Sequence, residues 1–190
     1  MIERSTKADL SRSIDTLVLA LANDPFVRWL FPEPGQYLEI FPTLAQLFGG
    51  RAFEKDCAYH LQGFAGSALW LPPGVHPDEE GIVSLLEGSL SGAVLSDAVS
   101  VFEQMDHFHP AEPCWHLAFI VVDPVKQGRG LGTRLLEHTL DVCDNEGKVA
   151  YLESTNPANL SLYVRHGFEV VGQMQAGRSP PLFPMVRQPR

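Results

Sequence analysis

The sequence is poor in cysteine and in positive charge, and it has no long apolar run. Its three cysteines, Cys57, Cys114 and Cys143, are odd in number, scattered and without CxxC spacing. They fit neither a disulfide framework nor a zinc site. No stretch approaches the roughly 18–20 apolar residues of a membrane span, and the opening Met1-Ile2-Glu3-Arg4-Ser5 lacks the apolar segment of a secretory leader. The expectation is a cytoplasmic protein with no membrane partner and no bound metal. Lys and Arg total 14 against 23 Asp and Glu, a net charge of −9. That is the wrong sign for a nucleic-acid surface, although an acidic surface attracts cationic small molecules such as amines.

What is present is the composition of a folded chain, 45% hydrophobic and 19% charged over 190 residues. That length suits one domain around a sizeable core. Apolar residues Leu10, Ile14, Leu17, Val18 and Leu21 predict a helix over 6–23, ended by Asn23-Asp24-Pro25. Residues 26–34 read as an aromatic loop, and a helix follows from Tyr37 to about Phe48. Ala58–Leu61 and Ser67–Leu71 read as strands joined by a glycine turn. Residues 78–104 are weakly helical and interrupted by Gly81, Gly88 and Gly92. His107 and His109, flanking Phe108, have no carboxylate or cysteine pattern beside them that would make a metal site. Trp29, Phe31 and Trp70 suit either a pocket lining or a core.

The second half is sharper. Trp115 to Val122 is an apolar strand, ended by Asp123-Pro124. A helix follows with Leu131, Leu135, Leu136, Leu140 and Cys143 on one face and Arg134, Glu137, His138, Asp141 and Asp144 on the other; Gly147 suits its C′ position. Val149–Glu153 is a strand. Asn156-Pro157 reads as an N-cap with proline at the first helical position of a short helix ending at Gly167. Phe168–Val171 and Leu182–Val186 are further strands. Pro184, lacking an N–H, places the last at an edge or bulge. This order predicts an α/β or α+β layer with helices on both faces.

Between strand and helix stands Gln127-Gly128-Arg129-Gly130-Leu131-Gly132-Thr133. Alternate glycines let successive N–H groups converge, and a helix N-terminus there favours an anion. A pyrophosphate is the natural occupant, with Lys126, Arg129 and Arg134 nearby, so local geometry resolves how an acidic chain binds polyphosphate. A Walker loop is excluded because Gly147-Lys148 is followed by Val149. A dinucleotide fold is the rival, with Glu153 about 20 residues on as a ribose-binding acid. Against it, Thr133 stands where glycine is needed, and too few residues follow Glu153 for a doubly wound sheet.

These residues resemble the GNAT superfamily of N-acetyltransferases. Gln127, Gly130 and Gly132 match its Q/R-x-x-G-x-G/A motif after the Val122-Asp123-Pro124 lead-in. Asn156-Pro157-Ala158-Asn159 through Tyr163 to Gly167-Phe168 is similar to its asparagine-to-tyrosine helix. More loosely, the layout resembles the puromycin N-acetyltransferase-like branch. The resemblance implies a mixed, mostly antiparallel sheet with a splayed cofactor-binding strand. Residues 1–110 would form an acceptor-binding half and 111–190 an acetyl-CoA-binding half of one domain. It also implies direct acetyl transfer from acetyl-CoA to a primary amine, foremost of a small molecule, the alternatives being a protein or peptide amine or a non-catalytic acyl-CoA sensor. Cofactor contacts would fall on Ile120, Val121 and Val122, on Gln127, Gly128, Arg129, Gly130, Leu131, Gly132 and Thr133, and on Asn156 and Asn159. Tyr163 would be the general acid, on a helix face with positions 156, 159 and 166. For the base, His116 (set by period 2 on a face with Ala118, Ile120 and Val122), Glu153 and a water chain stay open, as does a homodimer.

Overall fold

A computed structural model describes residues 1–190. In chain order the elements are β1 (Ile2–Arg4), α1 (Leu10–Ala20), α2 (Pro25–Leu30), α3 (Pro34–Gly49), α4 (Arg51–Glu54), β2 (Ala58–Leu61) and β3 (Gly66–Leu71). Then come α5 (Glu79–Ser89), α6 (Gly92–Phe108), β4 (Trp115–Val122), α7 (Leu131–Glu146), β5 (Ala150–Ser154), α8 (Leu160–Arg165), β6 (Glu169–Val170) and β7 (Phe183–Arg187). The strands form one sheet in the order β1-β2-β3-β4-β5-β7-β6. Every neighbouring pair is antiparallel except β4–β5, so the sheet is mixed and mostly antiparallel, as expected. No helix is long and apolar enough to cross a membrane.

Alternation along β3 divides the core. Leu69 and Leu71 enter a cluster with α1, α2, α3, α5 and α6, whereas Ala68 and Trp70 enter a second cluster with α7 and α8. The helices therefore cover both faces, each burying an apolar stripe. Trp70 and Phe31 are wholly buried, and Trp29 packs beside Phe26 at a ring distance of 5.7 Å. Trp70 and Phe31 are core residues, and Trp29 is partly buried against the core.

Three expectations change. Residues 26–34 hold helix α2 rather than a loop: Asp24 accepts from the Phe26 and Val27 amides at 3.0 and 3.1 Å, and Pro25 occupies the first turn. Asp-Pro ends one helix here and also starts the next. The weakly helical stretch resolves into α5 and α6, separated at Leu90-Ser91, with Gly81 and Gly88 held inside α5 by packing. Finally, β7 is not an edge strand; it lies between β5 and the two-residue β6. Pro184 fits because its carbonyl accepts from Val171, on the side away from β5. Its missing N–H faces that side too, so the ladder to β5 loses nothing.

Asp144, expected on the solvent face of α7, instead ties that helix to β7. Its oxygens receive both terminal nitrogens of Arg187 at 2.7 Å, while Arg187 Nε donates to the His166 carbonyl at 2.9 Å. Arg187 is 3% exposed, so its charge depends on this fork–fork partner. The guanidinium holds the Asp144 carboxyl below its ordinary value. A lowered folded-state pKa means the stabilisation is complete above the unfolded value near 4 and fades as pH falls through the folded one. Asp144→Ala is expected to cost about 2–4 kcal/mol at pH 7. In urea titrations the gap to wild type should narrow below about pH 4; a gap independent of pH contradicts the assignment.

Candidate functional site

The only parallel ladder of the sheet is very short, pairing Trp115 with Ala150 and His116 with Tyr151. Beyond it β5 stays with β7 as far as Ser154, and β4 stays with β3 as far as Val122. The two strands part, and β4 from Leu117 to Val122 has no strand partner on that side. The splayed strand expected from the sequence is present. Among its free groups, the Val122 carbonyl is taken by Gln127 Nε2 at 3.1 Å.

Beyond β4 the chain turns through Pro124–Lys126 into the glycine segment. Gly128 and Gly130 have φ of 73° and 71°, where an L side chain costs about 1–2 kcal/mol. This left-handed pair curls the chain so that the amides of Gly128 through Thr133 donate to no backbone or side-chain acceptor; the first bond of the helix is Arg134 N–H to the Gly130 carbonyl at 3.1 Å. Exposed free N–H groups at the positive end of α7 are suited to an anion. Arg129 and Arg134 are exposed beside them, while the Lys126 ammonium lies 3.7 Å from the Asp123 carboxylate. Gln127 differs from its neighbours. Its N–H bonds the Pro124 carbonyl at 3.4 Å and its side chain bonds Val122, so it braces the turn and stands outside the row of free donors.

The divergence of β4 and β5 leaves a narrow cavity of about 110 Å³ between their ends. Tyr163 and Asn159 line it from one side; Asp24, Phe26 and Phe41 line it from the other. Tyr163 is 6% exposed, its hydroxyl makes no hydrogen bond to the protein, and burial pushes its phenol above the ordinary value, so it is protonated at neutral pH. Asn156 and His166 do not share this wall, contrary to the expected row. Asn156 Oδ1 caps the Ala158 amide at 3.0 Å, and the His166 Nδ1 bonds the Leu162 carbonyl at 2.7 Å. For Asn156 the reason is local: residues 157–159 form a 3-10 turn, and the α-helix begins only at Leu160, which breaks the 3.6-residue register.

His116 and Glu153 meet where the strands separate, with Nε2 2.8 Å from Oε2 and each side chain 6% exposed. The His116 ring lies 5.8 Å from the Phe48 ring and 5.4 Å from the Tyr151 ring. Simple alternation put His116 on a face with Ile120 and Val122, and the structure corrects this. A bulge at Ala118 sets Leu117 opposite Trp70 but Phe119 opposite Leu69. One extra residue inverts the pattern, so His116 shares its face with Phe119, and both rings meet Phe48. No local turn residue announces the bulge in the sequence.

Asp24 was missed as a site residue. It is 5% exposed, and its Oδ2 accepts from the Thr155 hydroxyl at 2.6 Å, joining α2 to the end of β5 across the cavity. Burial raises its carboxyl above the usual range, against the opposing effect of its three hydrogen bonds. The Asp-Pro pair was a visible signal, but its long-range partner was not. A second cavity, of about 950 Å³, opens between α5 and α6 and shares Glu153, Phe48, Phe102 and Met105 with the first.

Residues 49–168 match the model of the acetyltransferase (GNAT) family. The N-alpha-acetyltransferase RimI of Mycobacterium tuberculosis is 34% identical over 125 residues, covering 64% of this chain and 76% of that protein. An uncharacterized N-acetyltransferase of Schizosaccharomyces pombe is 24% identical over 210 residues, covering 98% and 83%. In structure the chain is similar to a Corynebacterium glutamicum protein described as histone acetyltransferase HPA2 and related acetyltransferase. The TM-score is 0.69 at 26% identity, with 100% of this chain and 96% of the other covered. The family match spans more than half of the chain and coincides with the split sheet and the glycine turn: the protein belongs to the GNAT family and is an N-acetyltransferase.

Proposed function

We propose that the enzyme transfers an acetyl group directly from acetyl-CoA to a primary amine of a small molecule. The carrying observation is the wedge between β4 and β5, which is lined by a protonated tyrosine and by Glu153, the acid of a buried His–Glu pair. Residues 111–190 act as the cofactor half and residues 1–110 supply most of the acceptor wall.

The free amides of Gly128 through Thr133 fit a diphosphate, and the unpartnered edge at Ile120 and Val121 fits the amides of a pantetheine arm, as an added strand would. Asn159 lines the same wedge. Acetyl-CoA supplies an activated acetyl carbon on a thioester. The chain supplies position and proton management. Glu153, with His116 hydrogen-bonded to it, takes the proton that an ammonium must lose before its nitrogen can attack. Tyr163 holds a proton at its hydroxyl for the departing thiolate as the C–S bond breaks. Asp24, engaged by three donors, is a positioning residue that locks α2 onto β5.

The small-molecule reading rests on the larger cavity, walled on two sides by helices and within the size range of small-molecule sites. A second reading, acetylation of a protein N-terminus, is favoured by the similarity to RimI. Thiol release from acetyl-CoA over a panel of amines and short peptides decides between them. The small-molecule reading expects the amines to be the better substrates; turnover of peptides alone reverses the order.

Two variants examine the machinery. Tyr163→Phe should lower kcat by about 10²-fold with little change in acetyl-CoA affinity; unchanged turnover under rate-limiting chemistry removes Tyr163 from the mechanism. Gly130→Val, forced to φ near 71°, should weaken coenzyme A binding by about 10-fold, the equivalent of the 1–2 kcal/mol left-handed penalty. Calorimetry reads this directly, and an unaltered Kd contradicts the cradle.

A further inference from the structure

The wedge cavity is sorted by polarity. Its polar members, Asp24, Glu153, Ser154, Thr155 and Asn159, gather at the tip of β5 and the turn beyond it, Asp24 through its bond to Thr155. Tyr163 apart, the rest of the lining is apolar and belongs mainly to β4, α2 and α3. Val27, Leu30, Phe41 and Leu44 are each no more than 6% exposed, so this end is closed to solvent. The bulge residue Ala118 also lines the cavity, with only a methyl to fill it.

At about 110 Å³ the cavity exceeds what the methyl of an acetyl group fills; a dry apolar cavity of about 150 Å³ takes benzene. The body of the acceptor does not need this space, because the adjoining cavity of about 950 Å³ has room for it. Phe48, Phe102, Met105 and Glu153 line both cavities and so form the boundary between them. The rings of His116 and Phe119, at 5.8 and 5.6 Å, hold Phe48 there. An amine that gives its proton to Glu153 therefore meets the thioester at this boundary. The attacked carbon carries four groups: the amine nitrogen, the oxygen, the sulfur and the acyl chain. Nitrogen comes from the larger cavity, and sulfur departs towards Tyr163, which lines the wedge cavity and not the larger one. The acyl chain has one apolar region left to occupy, the closed end formed by Val27, Leu30, Phe41 and Leu44.

We infer that the closed end of the wedge is an acyl-chain pocket, and that the enzyme accepts short linear acyl groups longer than acetyl, propanoyl and butanoyl, from their coenzyme A thioesters. The inference rests on the transfer reading above and deepens it to the class of donor. The reaction balances as acetyl transfer does. The N–C bond forms at the acyl carbon and the C–S bond breaks. The ammonium gives one proton to Glu153 and a second, by way of the Tyr163 hydroxyl, to the departing sulfur; the third stays on the amide nitrogen. The extra methylenes take no part.

Two variants change the closed end in opposite directions. Val27→Phe fills it and Leu44→Ala enlarges it, and thermal melting verifies each fold; should Val27→Phe fail to fold, Leu44→Ala alone decides. Calorimetry measures Kd for acetyl-CoA, butanoyl-CoA and hexanoyl-CoA in the absence of acceptor. Each methylene buried in an apolar site is worth about 4-fold in Kd, so the wild type should bind butanoyl-CoA about 10-fold more tightly than acetyl-CoA. In Val27→Phe that ratio should fall to about one, and in Leu44→Ala the advantage should extend to hexanoyl-CoA. Thiol release to butylamine should follow the same order in kcat/KM. Equal Kd for acetyl-CoA and butanoyl-CoA in the wild type, or a ratio that neither variant moves, overturns the inference. So does a Val27→Phe effect that follows the length of the amine, ethylamine against hexylamine with acetyl-CoA, and not the length of the acyl group, since the closed end then holds the acceptor. In each of these cases thiol release from acetyl-CoA leaves the transfer reading intact. If no thioester releases thiol to any amine, the transfer reading itself fails, and the Kd series still decides what the pocket takes.

Discussion

The arrangement depends on one constraint: two parallel strands that pair for two residues and then separate. Unpaired main chain inside a protein must find partners elsewhere, so the separation is costly unless each strand is held from its other side. That condition is met. The ladder from β3 follows β4 to Val122, and β7 follows β5 to Ser154. The bulge at Ala118 adds local twist to β4 and turns it from β5 immediately after His116. The wedge is therefore built into the sheet by neighbours that pull the strands in different directions.

Much else follows from the same separation. His116 and Glu153 can meet at 2.8 Å because they stand where the strands begin to part, one on each. Tyr163 reaches the wedge from one face and Asp24 from the other. The bond from Asp24 to Thr155 closes the far end of the opening, so α2 cannot shift without moving the tip of β5. The Arg187–Asp144 pair does the corresponding work outside the wedge, fixing β7 against α7 so that β5 retains its outer support. Polar contacts of long sequence separation thus brace a gap that apolar packing alone would tend to close.

What could be read from the sequence was what local chemistry determines. The span Trp115–Val122, the left-handed glycines before α7, the Gly147 end of that helix and the Asn156-Pro157 start all come from residues that permit few conformations, and all were legible. What was not legible depended on partners distant in the chain. The bulge at Ala118 is defined only by its register with β3, and without it the face of His116 comes out reversed. Asp24 was visible as a helix boundary, but Thr155 is 131 residues away. The two-helix nature of 79–108 was hidden because Gly81 and Gly88 lower helix propensity, a deficit that tertiary packing of Ile82, Leu86, Ala98 and Val101 overcomes.

The charge distribution resolves a tension that composition alone leaves standing. On the proposed reading, a chain of net charge −9 admits a polyanionic co-substrate and an amine acceptor to neighbouring places. It does so by using different kinds of charge. On the coenzyme side the positive potential comes from main-chain N–H groups and a helix end, which are fixed in direction and need no net charge. On the acceptor side the potential is negative and comes from side-chain carboxylates, Glu79, Glu103, Asp106 and the buried Glu153 among the residues that line the cavity. Lysines placed to hold phosphates close to the wedge would repel the incoming ammonium, and they would also weaken the acidity of the adjoining cavity. Backbone donors avoid this, because their field falls off over a turn or so of helix. On that reading the acidic composition is compatible with phosphate binding, because the donors that meet the phosphates carry no net charge.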